Sequence, residues 1–153
     1  WAILWTIGAL VLSFGATWLY SFIIEGIGVD WLLPPESYTE IVFEGPAVIL
    51  TFMALALWTP LTEELFFRGF VFAGLIHRRG VTGALVFSAM IFSAFHLLAG
   101  PGVLVPIFIT GFLLAWLYHR TGSLWPSIAA HAGQNSAALL ATIYGPSLSL
   151  NSV

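Results

Sequence analysis

The chain has 153 residues, one domain's worth, with 59 % hydrophobic residues, only 7 % charged residues and a net charge of −3. That charge is too small and too acidic for a nucleic-acid binder. The absence of cysteine excludes a disulfide scaffold, a zinc finger, an iron–sulfur site and a cysteine nucleophile. So few charges cannot cover a water-facing surface, so the expectation is an integral membrane protein, in the plasma membrane for a bacterial or archaeal source. The chain begins at Trp1 and not at Met, and reads as a piece of a longer protein.

Trp1 to Ile24 carries no charged residue, which suffices to span a hydrocarbon core of about 30 Å. A secretory signal peptide would have a basic start and a shorter apolar run. Glu25 to Glu44 holds Glu25, Asp30, Glu36, Glu40 and Glu44 with Pro34-Pro35, and reads as a loop. Apolar character returns at Ile41 and holds to Ile76, interrupted by Pro60, Glu63, Glu64 and Arg68. As one helix this stretch would measure roughly 54 Å, too long for a straight span. Pro60 lacks a backbone donor and is the expected break, with Thr62 as cap of a helix restarting there. His77-Arg78-Arg79-Gly80 is a polar turn, followed by the apolar run Val81 to Ala99 and its end at Gly100-Pro101-Gly102. Val103 to Tyr118 comes next, then the turn His119-Arg120-Thr121-Gly122. Pro126 suits the first turn of a last helix, which runs to about Tyr144 and is stopped by Gly145-Pro146. The expected fold is all-α: one polytopic transmembrane helix bundle over residues 1–153, with about five membrane segments, one of them broken at Pro60. Three of the four arginines sit in the two turns, so the positive-inside rule puts those turns in the cytoplasm and the acidic loop outside.

Ionisable and polar groups inside a membrane are costly and mark functional candidates. Here they are Glu63, Glu64, Arg68, His96, His131, Gln134 and Asn135. Glu64 and Arg68 are four apart and pair along one helix face, which leaves Glu63 about 100° around the helix with no local partner. Two adjacent carboxylates in low dielectric compete for one proton, which suits a general base near neutral pH. The plainer account, acidic residues favouring a helix N-terminus, does not cover two Glu and an Arg in apolar sequence. His96, alone on an apolar run, is by itself more often a packing residue. His131 and Asn135 are four apart on a helix of small residues, which allows close helix approach and also suits plain interhelical hydrogen bonding. Rise per residue puts Glu63 roughly 22 Å from Arg78 and His96 roughly 24 Å from Gly80, so the groups can meet inside one bundle.

A carboxylate, two imidazoles and an amide together suit water activation with oxyanion stabilisation. The His-Glu-x-x-His of common zinc proteases is absent, and the only aspartate, Asp30, lies in the loop. Ser93 and Ser127 keep a Ser–His mechanism open, although neither carries a Gly-x-Ser-x-Gly turn. Glu63-Glu64-x-x-x-Arg68, Phe92-x-x-x-His96 and His131-x-x-x-Asn135, with Arg120 to Ser127 before the third, resemble the motifs of the CAAX protease and bacteriocin-processing (CPBP, or Abi) family. That family includes the Ras-converting CAAX prenyl endopeptidases. The resemblance covers about residues 41–144. It implies an intramembrane endopeptidase in which Glu63 activates water, His96 helps to hold it, His131 and Asn135 stabilise the oxyanion, and Glu64 and Arg68 support the site. It implies a peptide or prenylated-protein substrate at the lipid bilayer. The family has been called metalloproteases, and Glu63, His96 and His131 would form a His₂Glu zinc set with an open fourth position; the metal-free reading is preferred. A non-enzymatic protein of bacteriocin self-immunity and a proton-relay or transport protein are the other readings. A partner-binding protein would tolerate loss of these groups, and a relay would need Glu63 but not Asn135.

Overall fold

The computed structural model describes residues 1–35 and 39–149; Glu36, in the expected acidic loop, lies outside them. The described residues are helical, with no strand. Helix α1 (Ala2–Ile27) continues past the uncharged run through Glu25 and ends at Gly28, whose φ of 70° is the left-handed conformation that closes a helix. Short 3₁₀ turns at Asp30–Leu32, Thr39–Ile41 and Gly45–Ala47 carry the chain to α2 (Val48–Phe52). The first of these turns is pinned by Tyr20, whose hydroxyl donates to the Leu32 carbonyl at 2.9 Å.

The next rod is continuous over residues 48–79. After α2 come a π-helical stretch at Met53–Trp58, α3 (Thr59–Glu64), a second π-helical stretch at Leu65–Phe72, and the start of α4 (Ala73–Phe95). The break expected at Pro60 is therefore a change of hydrogen-bond register inside a continuous helix: Trp58 and Thr59 keep right-handed helical dihedrals. A proline ring crowds the carbonyl four residues back, and the wider π turn just upstream makes room for it. Thr62 is not a cap. Its hydroxyl bonds back to the Trp58 and Thr59 carbonyls at 3.0 and 3.1 Å, inside an unbroken helix. The true reversal is at Gly80, with φ 66° and ψ 179°, where α4 folds back. A glycine is required there because an L side chain rarely adopts that φ. The two arms pair antiparallel: the Phe67 and Phe92 rings lie 4.9 Å apart, and Phe72 packs with Ala84 and Leu85.

Helix α5 (Leu104–Thr121) ends at left-handed Gly122, with His119 and Arg120 in its last turn, where cations favour the dipole. Helix α6 (Leu124–Ser149) carries Pro126 in its first turn and runs through Gly145-Pro146 instead of stopping there. A proline's φ is itself helical, so the rod carries on at the loss of one backbone bond. Helix α6 packs against α1, α3, α5 and the Met53–Trp58 stretch, a crowding that its small residues permit.

Among the described residues, three helical stretches are long and apolar enough to cross a membrane: Ala2–Ile27, Gly45–Phe95 and Pro101–Thr121. The second of these contains the Gly80 reversal. Large apolar side chains such as Leu12, Trp18, Phe22, Leu57 and Phe70 are exposed along the outer faces. Water would penalise such a surface and lipid does not. The chain is an all-α membrane helix bundle.

Candidate active site

The site grows from the one stretch of the second rod that carries charge. Glu64 ends α3 and Arg68 lies one turn on, and both side chains are fully buried. Arg68 donates from Nη1 to Glu64 Oε1 at 2.8 Å and from Nη2 to the Gly111 carbonyl of α5 at 2.9 Å. Its guanidinium carbon sits 4.5 Å from the centre of the Phe92 ring, a cation–π contact in a dry setting. Gly111 is what lets α5 come this near: a Cβ there would stand 2.9 Å from the Phe92 ring and 3.3 Å from the Ala89 Cα.

Helix α6 supplies the second half. His131 is buried, and its Nδ1 lies 2.9 Å from the same Glu64 Oε1 that Arg68 holds. A carboxylate oxygen bonded to a guanidinium can only accept, so Nδ1 carries the proton and donates. That leaves Nε2 facing Glu63, whose buried Oε2 is 3.8 Å away. Glu63, with no partner along its own helix, thus meets an imidazole 68 positions on. Glu64 does more than neutralise Arg68: it orients His131, as the third member of a catalytic triad orients its imidazole.

His96 follows the last residue of α4 as its cap. Its Nδ1 lies 2.9 Å from the Phe92 carbonyl. A carbonyl only accepts, so Nδ1–H donates and the neutral ring keeps a lone pair on Nε2. The ring borders two cavities. One, of about 390 Å³, is lined by Thr62, Glu63, Phe66, Phe67, Phe95 and His96. The other, of about 400 Å³, has Leu55, His96, His131, Gln134 and Asn135 among its walls. Asn135 donates from Nδ2 to the Leu55 carbonyl at 2.7 Å. Gln134 leaves the reacting groups and donates to Ser13 of α1 and, at 3.4 Å, to Thr110 of α5.

Glu64, Arg68 and His131 are therefore hydrogen-bonded together, with Glu63 3.8 Å from His131; His96 lines both cavities, Glu63 the first and Asn135 the second. Among the described residues no group of three His, Asp or Glu side chains is placed to hold a metal ion. The Nδ1 bonds of His131 to Glu64 and of His96 to the Phe92 carbonyl leave each Nε2 free, an arrangement compatible with holding either a metal or a water. Ser93 and Ser127 both donate to backbone carbonyls, those of Leu104 at 2.7 Å and Leu114 at 3.1 Å. Neither is presented as a nucleophile. The sequence alone marks Phe92 only as part of the Phe92-x-x-x-His96 motif and gives it no role; the structure sets its ring against Arg68. Sequence reasoning missed the carbonyls of Leu55 and Gly111.

Residues 45–137 match a protein family described as "Type II CAAX prenyl endopeptidase Rce1-like". Over 138 residues the chain is 28 % identical to the Bacillus subtilis (strain 168) protein named "Putative membrane peptidase YdiL". The match covers 88 % of this chain and 54 % of that protein, so the chain spans about half the length of this relative. No solved structure matches the chain.

Proposed function

The chain belongs to the Rce1-like family of type II CAAX prenyl endopeptidases, and we propose that it is an intramembrane endopeptidase that cleaves a peptide bond with water activated by Glu63. The observation that carries this reading is the pairing of Glu63 with His131 across two helices, at 3.8 Å, beside cavities that His96 joins. Glu63 takes a proton from the attacking water, whose oxygen bonds to the substrate carbonyl carbon. His96 holds that water through its Nε2 lone pair. For His131 to donate from Nε2 as well as from Nδ1, its ring carries both protons in the reacting state. Its Nε2–H and the Asn135 amide then meet the oxyanion that forms. As the carbon–nitrogen bond breaks, Glu63 returns its proton to the leaving amine. The substrate class is a peptide or prenylated protein presented at the bilayer.

The test separates this chemistry from zinc chemistry. Asn135→Asp keeps the size of the side chain and puts an acceptor where a donor is needed. We expect it to lose about 10²–10³ in kcat with little change in KM, since the charge it must meet exists only in the transition state. A chelator is expected to leave the wild type active. An active Asn135→Asp enzyme that a chelator silences and added zinc restores overturns the reading.

The proposed orientation has the turns around Arg78-Arg79 and Arg120 in the cytoplasm. The chain has no native cysteine, so single cysteines at the exposed positions His77 and Asp30 report cleanly. An impermeant thiol reagent added outside intact cells should label position 30 and spare position 77. The opposite pattern inverts the topology.

A further inference from the structure

The carbonyl of Leu55 is an oddity of backbone accounting. Buried helical carbonyls are almost always bonded within their own helix. In an α register Leu55 would receive the N–H of Thr59, but that N–H is committed to Ala54, five residues back. In the π register of Met53–Trp58 its donor would be residue 60, and residue 60 is proline, which has none. The acceptor is left over, and the Asn135 side chain of α6 takes it at 2.7 Å. Pro60 is itself buried.

An amide NH₂ is planar with two donors. Fixing one on Leu55 fixes the plane of the group, and with it the direction of the other. Leu55, Asn135 and His131 all line the same cavity of about 400 Å³. We propose that Pro60 is a positioning residue: by withholding its N–H it frees the Leu55 carbonyl to anchor Asn135, and so aims the second Asn135 N–H at the oxyanion. This rests on the endopeptidase reading above for its catalytic part; the anchoring part stands on the geometry alone.

The consequence is specific to the missing hydrogen. In Pro60→Ala the new N–H satisfies the second rod in either register. It bonds Leu55 directly at five residues' separation, or it bonds Ala56 in an α turn that returns Thr59 to Leu55. Asn135 then loses its anchor. The helical dihedrals around position 60 accept alanine without strain, so the variant is expected to fold and to melt no lower than the wild type.

The experiment is a double-mutant cycle of Pro60→Ala and Asn135→Ala, read in kcat, in KM and in melting temperature. The wild type and Glu63→Gln are run beside it on a membrane-presented peptide. Pro60→Ala should lower kcat about tenfold or more with KM within about twofold, because a misaimed donor costs only the transition state. In the Asn135→Ala background Pro60→Ala should change kcat less than about twofold, since no amide is left to misaim. Asn135→Ala should lower the melting temperature in the wild type, by orphaning the Leu55 carbonyl, and lower it less in Pro60→Ala. Wild-type kcat in Pro60→Ala, or losses that multiply independently, overturns the aiming role. Equal melting penalties for Asn135→Ala in both backgrounds overturn the anchoring. If Glu63→Gln hydrolyses as well as the wild type, Glu63 is not the base; if the wild type itself does not hydrolyse the peptide, the endopeptidase reading fails instead, and the melting cycle still decides the anchoring. If Pro60→Ala does not accumulate, proline is required for folding, and an unchanged melting temperature in Asn135→Ala alone overturns the proposal.

Discussion

Glu63→Gln is expected to fold as the wild type does and to show no hydrolysis in an ordinary assay. The substitution changes one oxygen to an NH₂ and little else in shape. Glu63 is 26 % exposed, toward the cavity, and makes no bond that shapes the bundle; its nearest charged relation is His131 Nε2 at 3.8 Å. The amide cannot take a proton from water at neutral pH, and a general base contributes about 10²–10⁴ in rate. The measurement is turnover of a membrane-presented peptide by purified protein, with circular dichroism and melting to establish folding. Wild-type turnover in a folded Glu63→Gln protein removes Glu63 from the chemistry.

The second large effect is on folding. Glu64→Gln should accumulate poorly and melt well below the wild type. Arg68 is buried with one carboxylate oxygen at 2.8 Å and one carbonyl at 2.9 Å. Removing the carboxylate charge leaves a guanidinium uncompensated in the bundle, which costs about 3–5 kcal/mol when a buried pair is broken. That is a large part of the roughly 5–15 kcal/mol that stabilises a domain. Replacing both partners, Glu64→Gln with Arg68→Met, should recover most of the stability, because an uncharged pair of similar volume has no desolvation to offset. It should not recover activity, since His131 no longer has a carboxylate at Nδ1 to orient it. A Glu64→Gln protein as stable as the wild type would mean the pair is not buried as described.

Much of this site is written in local spacing, and that part was legible. Glu64 and Arg68 are four apart, as are Phe92 and His96, and His131 and Asn135, so each pair declares a shared helix face. The apolar runs and the turns at Gly80 and Gly122 likewise follow from composition and backbone chemistry. What spacing cannot convey is which face meets which. The bond from His131 to Glu64 joins positions 67 apart, and nothing along either helix selects that oxygen over those of Glu63. The carbonyls of Leu55 and Gly111 were invisible for another reason. Every residue has a carbonyl, and only the three-dimensional register reveals which ones lack a donor. The expected helix restart at Thr62 failed on the same ground, since a proline can be absorbed by a π turn, and sequence periodicity does not distinguish that from a break.

The clasp between Ser13 and Gln134, with Thr110 2.6 Å from the serine hydroxyl, bears on a helix that the family match does not reach, since that match begins at residue 45. Of the 26 residues of α1 only Ala9, Ser13 and Ile24 are buried. In lipid, one apolar side chain serves as well as another on either side of a helix, so the greasy faces of α1 leave it free to spin and to slide. Together with Trp5, whose ring meets Trp116 edge-on and lies against Arg120, the Ser13 hydroxyl restricts both freedoms. Its depth and bearing are dictated by an amide that sits one residue before Asn135, and the first helix is thereby indexed to the last.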